Sequence, residues 1–191
     1  MRRKYMRIIA GKARGYRLIT PKDFKIRPTS DRVKESIFNI IQNYIIDGIV
    51  IDLFAGTGSL GLEALSRNAE KVYFVDKDKD SIDIIKQNLS KMNLLAKGEI
   101  IHADVISAIN NLTEKKVQAD IIFMDPPYNK GLGNAALEDI DTSELLAPSG
   151  RIIIEHDKSE DMPIEMNKLH QFRRKDYGNT SVSFYKQKEE I

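Results

Sequence analysis

Short apolar runs alternate with amphipathic segments along most of the chain from residue 49 onward. The apolar runs predict buried strands at residues 49–53, 72–75, 99–103, 120–124 and 151–155. The segments between them predict helices at residues 60–67, 81–92, 105–112 and 135–146. Strands that alternate with helices are typical of βα units around a parallel sheet. The pattern therefore predicts an α/β fold.

The two ends of the chain depart from this pattern. Near the start, apolar residues recur every three or four positions and predict a helix of about four turns. They are Val33, Ile37, Ile40, Ile41 and Tyr44. Thr29 or Ser30 is the candidate N-cap of this helix. Near the end, residues 181–185 alternate and follow a candidate strand at 169–173, which predicts an antiparallel hairpin at the sheet edge.

Composition narrows the class of protein. At 191 residues with 41% hydrophobic content, the chain suffices for one compact domain and a short appendage. The absence of cysteine excludes disulfides and thiolate metal sites and suits a reducing compartment, so we expect a cytoplasmic protein. No apolar run approaches the roughly 18 to 20 residues of a membrane span. The three histidines lack ligand spacing, so no metal is expected. We predict no protein partner and a monomer.

Charge is distributed unevenly along the chain. Residues 1–36 contain 12 Lys or Arg against three acidic residues, a net charge of +9, so the remainder carries −7 of the overall +2. Such a basic arm favours a polyanionic partner, although a solvated charged tail is the alternative. Apolar residues interrupt the arm and suggest a folded ribbon. We predict a basic N-terminal β-extension over residues 1–26, packed on or beside a main domain over residues 27–191.

A glycine-rich loop follows the first predicted strand and opens a helix. Gly56, Gly58 and Gly61 allow the backbone to turn tightly and to approach a ligand, and Asp76 ends the next strand, where it can hold ribose hydroxyls. The glycine spacing also matches the dinucleotide fingerprint, so an NAD-dependent oxidoreductase is an alternative. Asp52, just before the loop, favours S-adenosylmethionine, because a carboxylate is poorly placed beside a pyrophosphate but suits a cationic methionine portion.

A third aspartate completes the candidate cofactor site. Asp104 ends the third strand, where it can accept a hydrogen bond from an adenine amino group. The alternative is that these aspartates only cap helices or face solvent. The predicted cofactor-binding residues are Asp52, Phe54, Gly56, Gly58, Asp76, Lys77, Asp104 and Val105.

The segment Asp125-Pro126-Pro127-Tyr128 follows the fourth strand and is the candidate catalytic loop. Two prolines remove two N–H donors, so the loop presents acceptors, namely the Asp125 carboxylate and the Pro126 carbonyl. Acceptors suit an exocyclic amine, and Tyr128 offers a face on which a base can stack. Such a base must be unpaired or flipped out. The alternative is a merely rigid turn. We expect the turn at residues 177–180 near the edge of this site.

The motifs together resemble one family, the RsmD-type bacterial methyltransferases, which modify N2 of a guanine in 16S ribosomal RNA. The resemblance rests on Arg7-Ile-Ile-Ala-Gly11 with Arg14-Gly15, on residues 27–39 and 52–67, and on Asp125 to Tyr128. It implies a Rossmann-like class I methyltransferase fold with seven mostly parallel strands, a reversed last strand and a small N-terminal β-extension. It further implies S-adenosylmethionine as cofactor, and a guanine of the small ribosomal subunit or its assembly intermediate as substrate.

The resemblance also gives the basic residues a role. We predict that RNA is contacted by Arg7, Lys12, Arg14, Arg17, Arg27 and Arg32, the last two orienting the target nucleotide. One alternative is a DNA adenine-N6 or cytosine-N4 methyltransferase, although no segment is large enough for a target-recognition domain. Another is a non-catalytic rRNA-binding assembly factor, although such a scaffold has no evident need for both loops.

Overall fold

The structure is a computed structural model that describes residues 6–21 and 31–189. Its helices are α1 (Asp31–Ile41), α2 (Ser59–Ser66), α3 (Lys79–Lys91), α4 (Val105–Glu114) and α5 (Leu132–Thr142). Its strands are β1 (Ile49–Leu53), β2 (Lys71–Asp76), β3 (Gly98–His102), β4 (Ala119–Met124), β5 (Leu146–Asp157), β6 (Leu169–Tyr177) and β7 (Thr180–Gln187). The predicted alternation of strand and helix is confirmed.

All seven strands join one sheet in the order β3-β2-β1-β4-β5-β7-β6. Strands β1 to β5 pair in parallel, whereas β7 is antiparallel to both β5 and β6. This confirms a mostly parallel sheet with a reversed last strand and a hairpin at one edge. The carboxyl ends of the parallel strands therefore meet along one side of the sheet.

Helices cover both faces of the sheet. Successive residues of a strand point to opposite faces, so Ile121 and Phe123 belong to one apolar cluster and Ile122 and Met124 to the other. Burial on both faces explains why the central strands are continuous apolar runs without polar alternation.

The helix predicted over residues 135–146 is wrong at its C-terminal end, since α5 ends at Thr142 and Leu146 begins β5. Leucine has a high helix propensity, and Leu145 and Leu146 directly follow the helical segment. However, the Leu145 carbonyl accepts a hydrogen bond from the Ala119 N–H at 2.8 Å, and Leu146 pairs with Ala119. Pairing with β4 outweighs the local pattern.

The helix predicted before the sheet is present as α1, which continues into a single 3₁₀ turn at Gln42–Tyr44. Together they cover the predicted turns. The buried stripe of α1 contains Val33, Ile37, Phe38 and Ile41, and also one cation, Lys34. The candidate N-caps Thr29 and Ser30 lie outside the described residues.

Residues 6–21 form an arm that packs against α2 and α3. The arm contains one isolated antiparallel bridge, between Arg7 and Arg17, and residues 6–21 contain no longer strand. Ile8 and Leu18 are buried in the core. The predicted boundary after residue 26 lies outside the described residues, so the division into extension and domain stays a prediction.

A buried carboxylate fastens the arm to α2. Glu63, which is fully buried, accepts hydrogen bonds from the backbone N–H groups of Ile9 at 2.8 Å and Ala10 at 3.0 Å. Its charge is balanced by Lys34 at 3.4 Å and Arg67 at 2.9 Å. Burial lowers the pKa of Lys34, and the neighbouring Glu63 opposes this shift. The arm is thus held by a buried, charge-balanced cluster.

Gly11 permits the arm to approach α2 closely. It adopts a φ of +80°, and a Cβ there would lie 1.9 Å from the Ser66 carbonyl oxygen. Only glycine fits this turn without displacing backbone. Across the described parts of the chain, none of the helices has the length and apolarity needed to cross a membrane.

Candidate active site

A cavity of about 640 Å³ opens at the carboxyl ends of the central strands. The structure brings most of the predicted site residues together around it. From the predicted cofactor site, the lining includes Phe54, Gly56, Asp76, Lys77, Asp104 and Val105. From the predicted catalytic loop, it includes Asp125, Pro126, Pro127 and Tyr128. Two loops predicted separately from the sequence therefore share one cavity.

The glycine loop is shaped by backbone conformations that favour glycine. Gly56 and Gly58 have φ angles of +55° and +77°, and Gly58 is the N-cap residue of α2. Phe54 also has a positive φ, of 61°. Gly61 has a different role, because a Cβ there would lie 2.3 Å from Cε1 of Phe74. Gly61 thus lets α2 pack against β2.

Asp76 joins the glycine loop to the turn after β2. Its Oδ2 accepts a hydrogen bond from the Gly56 N–H at 2.7 Å, and its Oδ1 accepts one from the Asp78 N–H at 2.9 Å. These two bonds orient the carboxylate, and each oxygen retains a further lone pair for a ligand. The proposed ribose contact fits this orientation and stays a prediction.

Asp104 both caps α4 and lines the cavity. Its two oxygens accept hydrogen bonds from the Ser107 N–H at 3.0 Å and the Ser107 hydroxyl at 2.6 Å. Hydrogen bonds from Ser107 hold the pKa of this exposed carboxyl below its ordinary value, so Asp104 stays ionised and able to accept. Helix capping and a ligand contact are therefore compatible at this position.

Asp52 lies behind the glycine loop. It is 2% exposed, and its Oδ2 accepts a hydrogen bond from the Gly61 N–H at 2.8 Å. Burial raises the pKa of Asp52 to about 8, with the charge of Asp76 adding to the shift and the Gly61 hydrogen bond opposing it. Asp52 and Gly58 do not belong to the described lining of the cavity. The contact of Asp52 with a methionine portion stays a prediction.

The catalytic loop is packed closely against α5. Pro126 is buried, and a Cβ at Gly133 would lie 3.2 Å from its Cγ and 2.8 Å from Cδ1 of Ile154. Glycine at this position lets the helix support the proline. Burial raises the pKa of Asp125 well above its ordinary value, with the charges of Glu155 and Asp52 adding to the shift.

Tyr128 is held by two residues that the sequence analysis missed. Its hydroxyl donates to Oε1 of Glu155 at 3.0 Å and lies 3.3 Å from Oγ1 of Thr180. The sequence does contain a signal for Glu155, because this acidic residue directly follows the apolar run 152–154. Asp52, Asp76 and Asp125 likewise lie at or just after the end of an apolar run. Thr180 begins β7, which confirms the expectation that the turn at residues 177–180 lies near the edge of the site.

The predicted RNA-binding residues that the structure describes lie on the surface. Arg7, Lys12, Arg14, Arg17 and Arg32 are exposed, whereas Arg27 lies outside the described residues. The Arg7 side chain pairs with Asp31 at 3.0 Å. The Lys12 N–H donates to the Ser66 carbonyl at the far end of α2 from the glycine loop, roughly 12 Å along the helix. None of these described residues is among the described lining residues of the cavity.

Comparisons with known proteins agree with this geometry. A family profile described as "Conserved hypothetical protein 95" matches residues 6–186. The protein named Ribosomal RNA small subunit methyltransferase D from Haemophilus influenzae is 36% identical over 81% of this chain and 80% of its own length. The solved structure of yhhF from Escherichia coli has a TM-score of 0.84 at 28% identity, covering 96% of this chain and 98% of that chain.

One more solved structure bears on the fold. The structure of SMU.776 complexed with SAH has a TM-score of 0.60 at 17% identity, over 78% of this chain and 48% of that chain, and this likeness concerns the fold alone. The family match covers nearly the whole chain and both loops of the site. The chain therefore belongs to this family, the RsmD family, and has the fold of the class I methyltransferases.

Proposed function

We propose that this protein transfers a methyl group from S-adenosylmethionine to the exocyclic N2 amine of a guanine in 16S ribosomal RNA. One observation carries the proposal: the loop Asp125 to Tyr128 and the glycine loop with Asp76 line the same cavity. A methyl donor and a base amine must meet at such a place. The small ribosomal subunit or an assembly intermediate is the proposed partner.

The residues present fit S-adenosylmethionine. The cavity volume of about 640 Å³ lies within the usual range of roughly 300 to 1,000 Å³ for small-molecule sites. Asp76 and Asp104 offer acceptors to hydroxyl and amino groups. Burial raises the pKa of both Asp52 and Asp125, and neighbouring carboxylates add to the shift: Asp76 for Asp52, and Glu155 and Asp52 for Asp125. A cationic ligand nearby therefore stabilises their ionised forms. When bound, S-adenosylmethionine supplies the electrophilic methyl group.

The catalytic loop binds and orients the amine. The Asp125 carboxylate and the Pro126 carbonyl accept hydrogen bonds from the two amine hydrogens, which directs the nitrogen lone pair away from the loop. Alignment of this kind can supply roughly 7 to 11 kcal/mol of a reaction barrier. As the N–C bond forms, the sulfur–methyl bond of the donor would break and leave a neutral thioether, and the amine nitrogen would lose one proton. The raised pKa of Asp125, caused by burial and the charge of Glu155, makes its carboxylate a better acceptor for that proton.

The acidic surroundings of the loop support guanine over adenine and cytosine. In guanine, an N1–H donor lies beside the N2 amine. In adenine and cytosine, the ring nitrogen beside the amine is an acceptor. The neighbouring carboxylates of Asp125 and Glu155 favour the edge that carries more donors and repel a ring acceptor.

Ribosomal RNA is supported by the name of the Haemophilus influenzae relative and by the exposed basic arm. Phosphate contacts supply much of the affinity of proteins for nucleic acid. Tyr128, which is 38% exposed, offers a stacking face to an unpaired base.

The test is transfer of labelled methyl from S-adenosylmethionine to small ribosomal subunits that lack the modification, followed by nucleoside analysis. The parent protein and Asp83→Ala, a control at an exposed position on α3, are expected to yield labelled N2-methylguanosine. Asp125→Ala is expected to lose about 100-fold or more in rate, the usual range for a positioned acid or base. Label found instead on DNA adenine or cytosine, or subunit binding without label, contradicts the proposal.

A further inference from the structure

The hydroxyl of Tyr128 contacts residues of two strands, β5 and β7. It donates a hydrogen bond to Oε1 of Glu155, near the end of β5, over a distance of 3.0 Å. Because the tyrosine has a single hydroxyl proton, the contact of 3.3 Å with Oγ1 of Thr180 is made by Thr180 donating. The ring is thereby held from two sides.

These partners are parts of the sheet. Glu155 is 8% exposed and pairs with Val182 in the antiparallel register of β5 and β7, and Thr180 pairs with Asp157. Tyr128 itself lies in a segment without regular structure. The hydrogen bonds therefore transfer the rigidity of two paired strands to an aromatic ring at the mouth of the cavity.

Stacking alone does not require the hydroxyl, since a phenylalanine ring offers the same face. What the hydroxyl adds is a defined ring orientation. Glu155 also acts on Asp125, the first residue of the same loop, because its negative charge adds to the effect of burial in raising the pKa of Asp125. One carboxylate thus contacts the stacking residue and influences the residue that accepts from the amine.

We propose that Glu155, assisted by Thr180, is a positioning residue for the target base, which it serves by fixing the ring of Tyr128 beside the acceptors of Asp125 and Pro126. This inference rests on the proposed base-methylating function but does not follow from it. A purely structural Glu155 would support the fold without being coupled to Tyr128 or to the protonation of Asp125.

A double-mutant cycle separates the two roles. Glu155→Ala and Tyr128→Phe are each expected to raise the KM for small subunits about tenfold, the effect of losing roughly one hydrogen bond, with the KM for S-adenosylmethionine unchanged. The double variant is expected to match either single variant, because the ring is already released. Independent effects that multiply to about 100-fold, or a change in both KM values, overturn the proposal.

Glu155→Gln tests the charge separately while keeping a hydrogen-bond acceptor for Tyr128. Its KM for subunits is expected to stay near that of the parent. Loss of the negative charge lowers the pKa of Asp125, so the acid limb of its kcat/KM profile is expected at lower pH than in the parent. Glu138→Gln, at an exposed position on α5, is the control and leaves the profile in place. A profile unmoved by Glu155→Gln overturns the link to Asp125.

A readout that does not depend on activity distinguishes this inference from the proposed function. In protein labelled with 3-fluorotyrosine, the ¹⁹F signal of Tyr128 is identified by its absence from Tyr128→Phe. It is expected to shift in Glu155→Ala and Thr180→Val but not in Glu138→Gln. An unmoved signal overturns the proposal even if the parent is active. A parent without activity on any RNA contradicts the proposed function, and the signal still decides whether Glu155 fixes the ring.

Discussion

The carboxyl group of Asp52 is enclosed by the glycine loop, and burial raises its pKa to about 8. In the unfolded chain, an aspartate has a pKa of about 3.9. Between these values the folded protein binds the extra proton, so this group stabilises the fold at low pH and its contribution is lost as the pH rises toward 8. A salt-bridged aspartate has the opposite pH dependence, because its contribution to stability is lost as the pH falls.

Asp52→Asn tests this linkage in the protein without cofactor. The amide oxygen still accepts from the Gly61 N–H but carries no charge. We expect the Tm of the variant to exceed that of the parent by roughly 3 °C or more at pH 8, and the difference to shrink at pH 5. Thermal unfolding at the two pH values measures it. An equal difference in Tm between parent and variant at both pH values would show that the carboxyl of Asp52 is not protonated in the folded protein.

At the scale of residues, chemistry that lies at strand ends was predictable, and contacts between distant strands were not. Asp76, Asp104 and Asp125 follow apolar runs, and βα topology alone places them at one edge. The bond from Tyr128 to Glu155 joins positions on separate strands, and no local spacing encodes it. Gly61 was predicted to let the backbone turn tightly and approach a ligand, and in the structure it lets α2 pack against Phe74.

Helix α2 packs closely against β2 at Gly61. A Cβ on Gly61 would lie 2.3 Å from Cε1 of Phe74 and 2.8 Å from Cγ1 of Val72. We expect Gly61→Ala to lower the free energy of unfolding by about 1 to 3 kcal/mol, as overpacking does. Urea unfolding measures the loss. Combining it with Phe74→Leu should restore part of the stability, and two losses that simply add would contradict this packing role.

At the scale of elements, the order of strands and helices follows from hydrophobic spacing, whereas pairing does not. The predicted end of α5 was wrong because leucine has a high helix propensity, whereas Leu146 pairs with Ala119 of β4 and the Leu145 carbonyl accepts from the Ala119 N–H. The place of β7 between β5 and β6 depends on contacts across the sheet, which the apolar pattern of each strand leaves open. The alternation of residues 181–185 predicted an antiparallel hairpin at the sheet edge, and the resemblance to a family added that the last strand is reversed relative to the parallel ones.

At the scale of the whole molecule, the N-terminal residues 1–36 carry a net positive charge and the rest of the chain carries a net negative charge. We expect reversal of Arg14 and Arg17 to glutamate to weaken RNA binding and to reduce its salt dependence by about one unit of logarithmic slope per lost phosphate contact. Reversal of Lys115 and Lys116, which are exposed beyond α4, is the matched control. Binding isotherms over a range of salt concentrations measure both. Equal slopes for the two pairs would exclude a specific role for the arm.

The arm itself was predictable from charge, but its attachment was not. Nothing in the sequence around Glu63 or Lys34 signals that they are partners, because they meet only once α1 and α2 pack. A buried ion pair of this kind is recognised from the fold and not from the spacing of its members along the chain.

Because Glu63 binds the backbone of Ile9 and Ala10, residues 6–21 of the basic arm are attached to the domain and are not a loose tail. Detachment of the arm breaks the hydrogen bonds from the Ile9 and Ala10 N–H groups to Glu63. It leaves the fully buried Glu63 carboxylate with fewer hydrogen-bond donors. Hydrogen exchange at these amides and cleavage by proteases within the arm therefore report opening of the body itself. If RNA binds residues 6–21 as proposed, it meets cations on a backbone that is already packed on the domain, and little conformational entropy is lost on docking there.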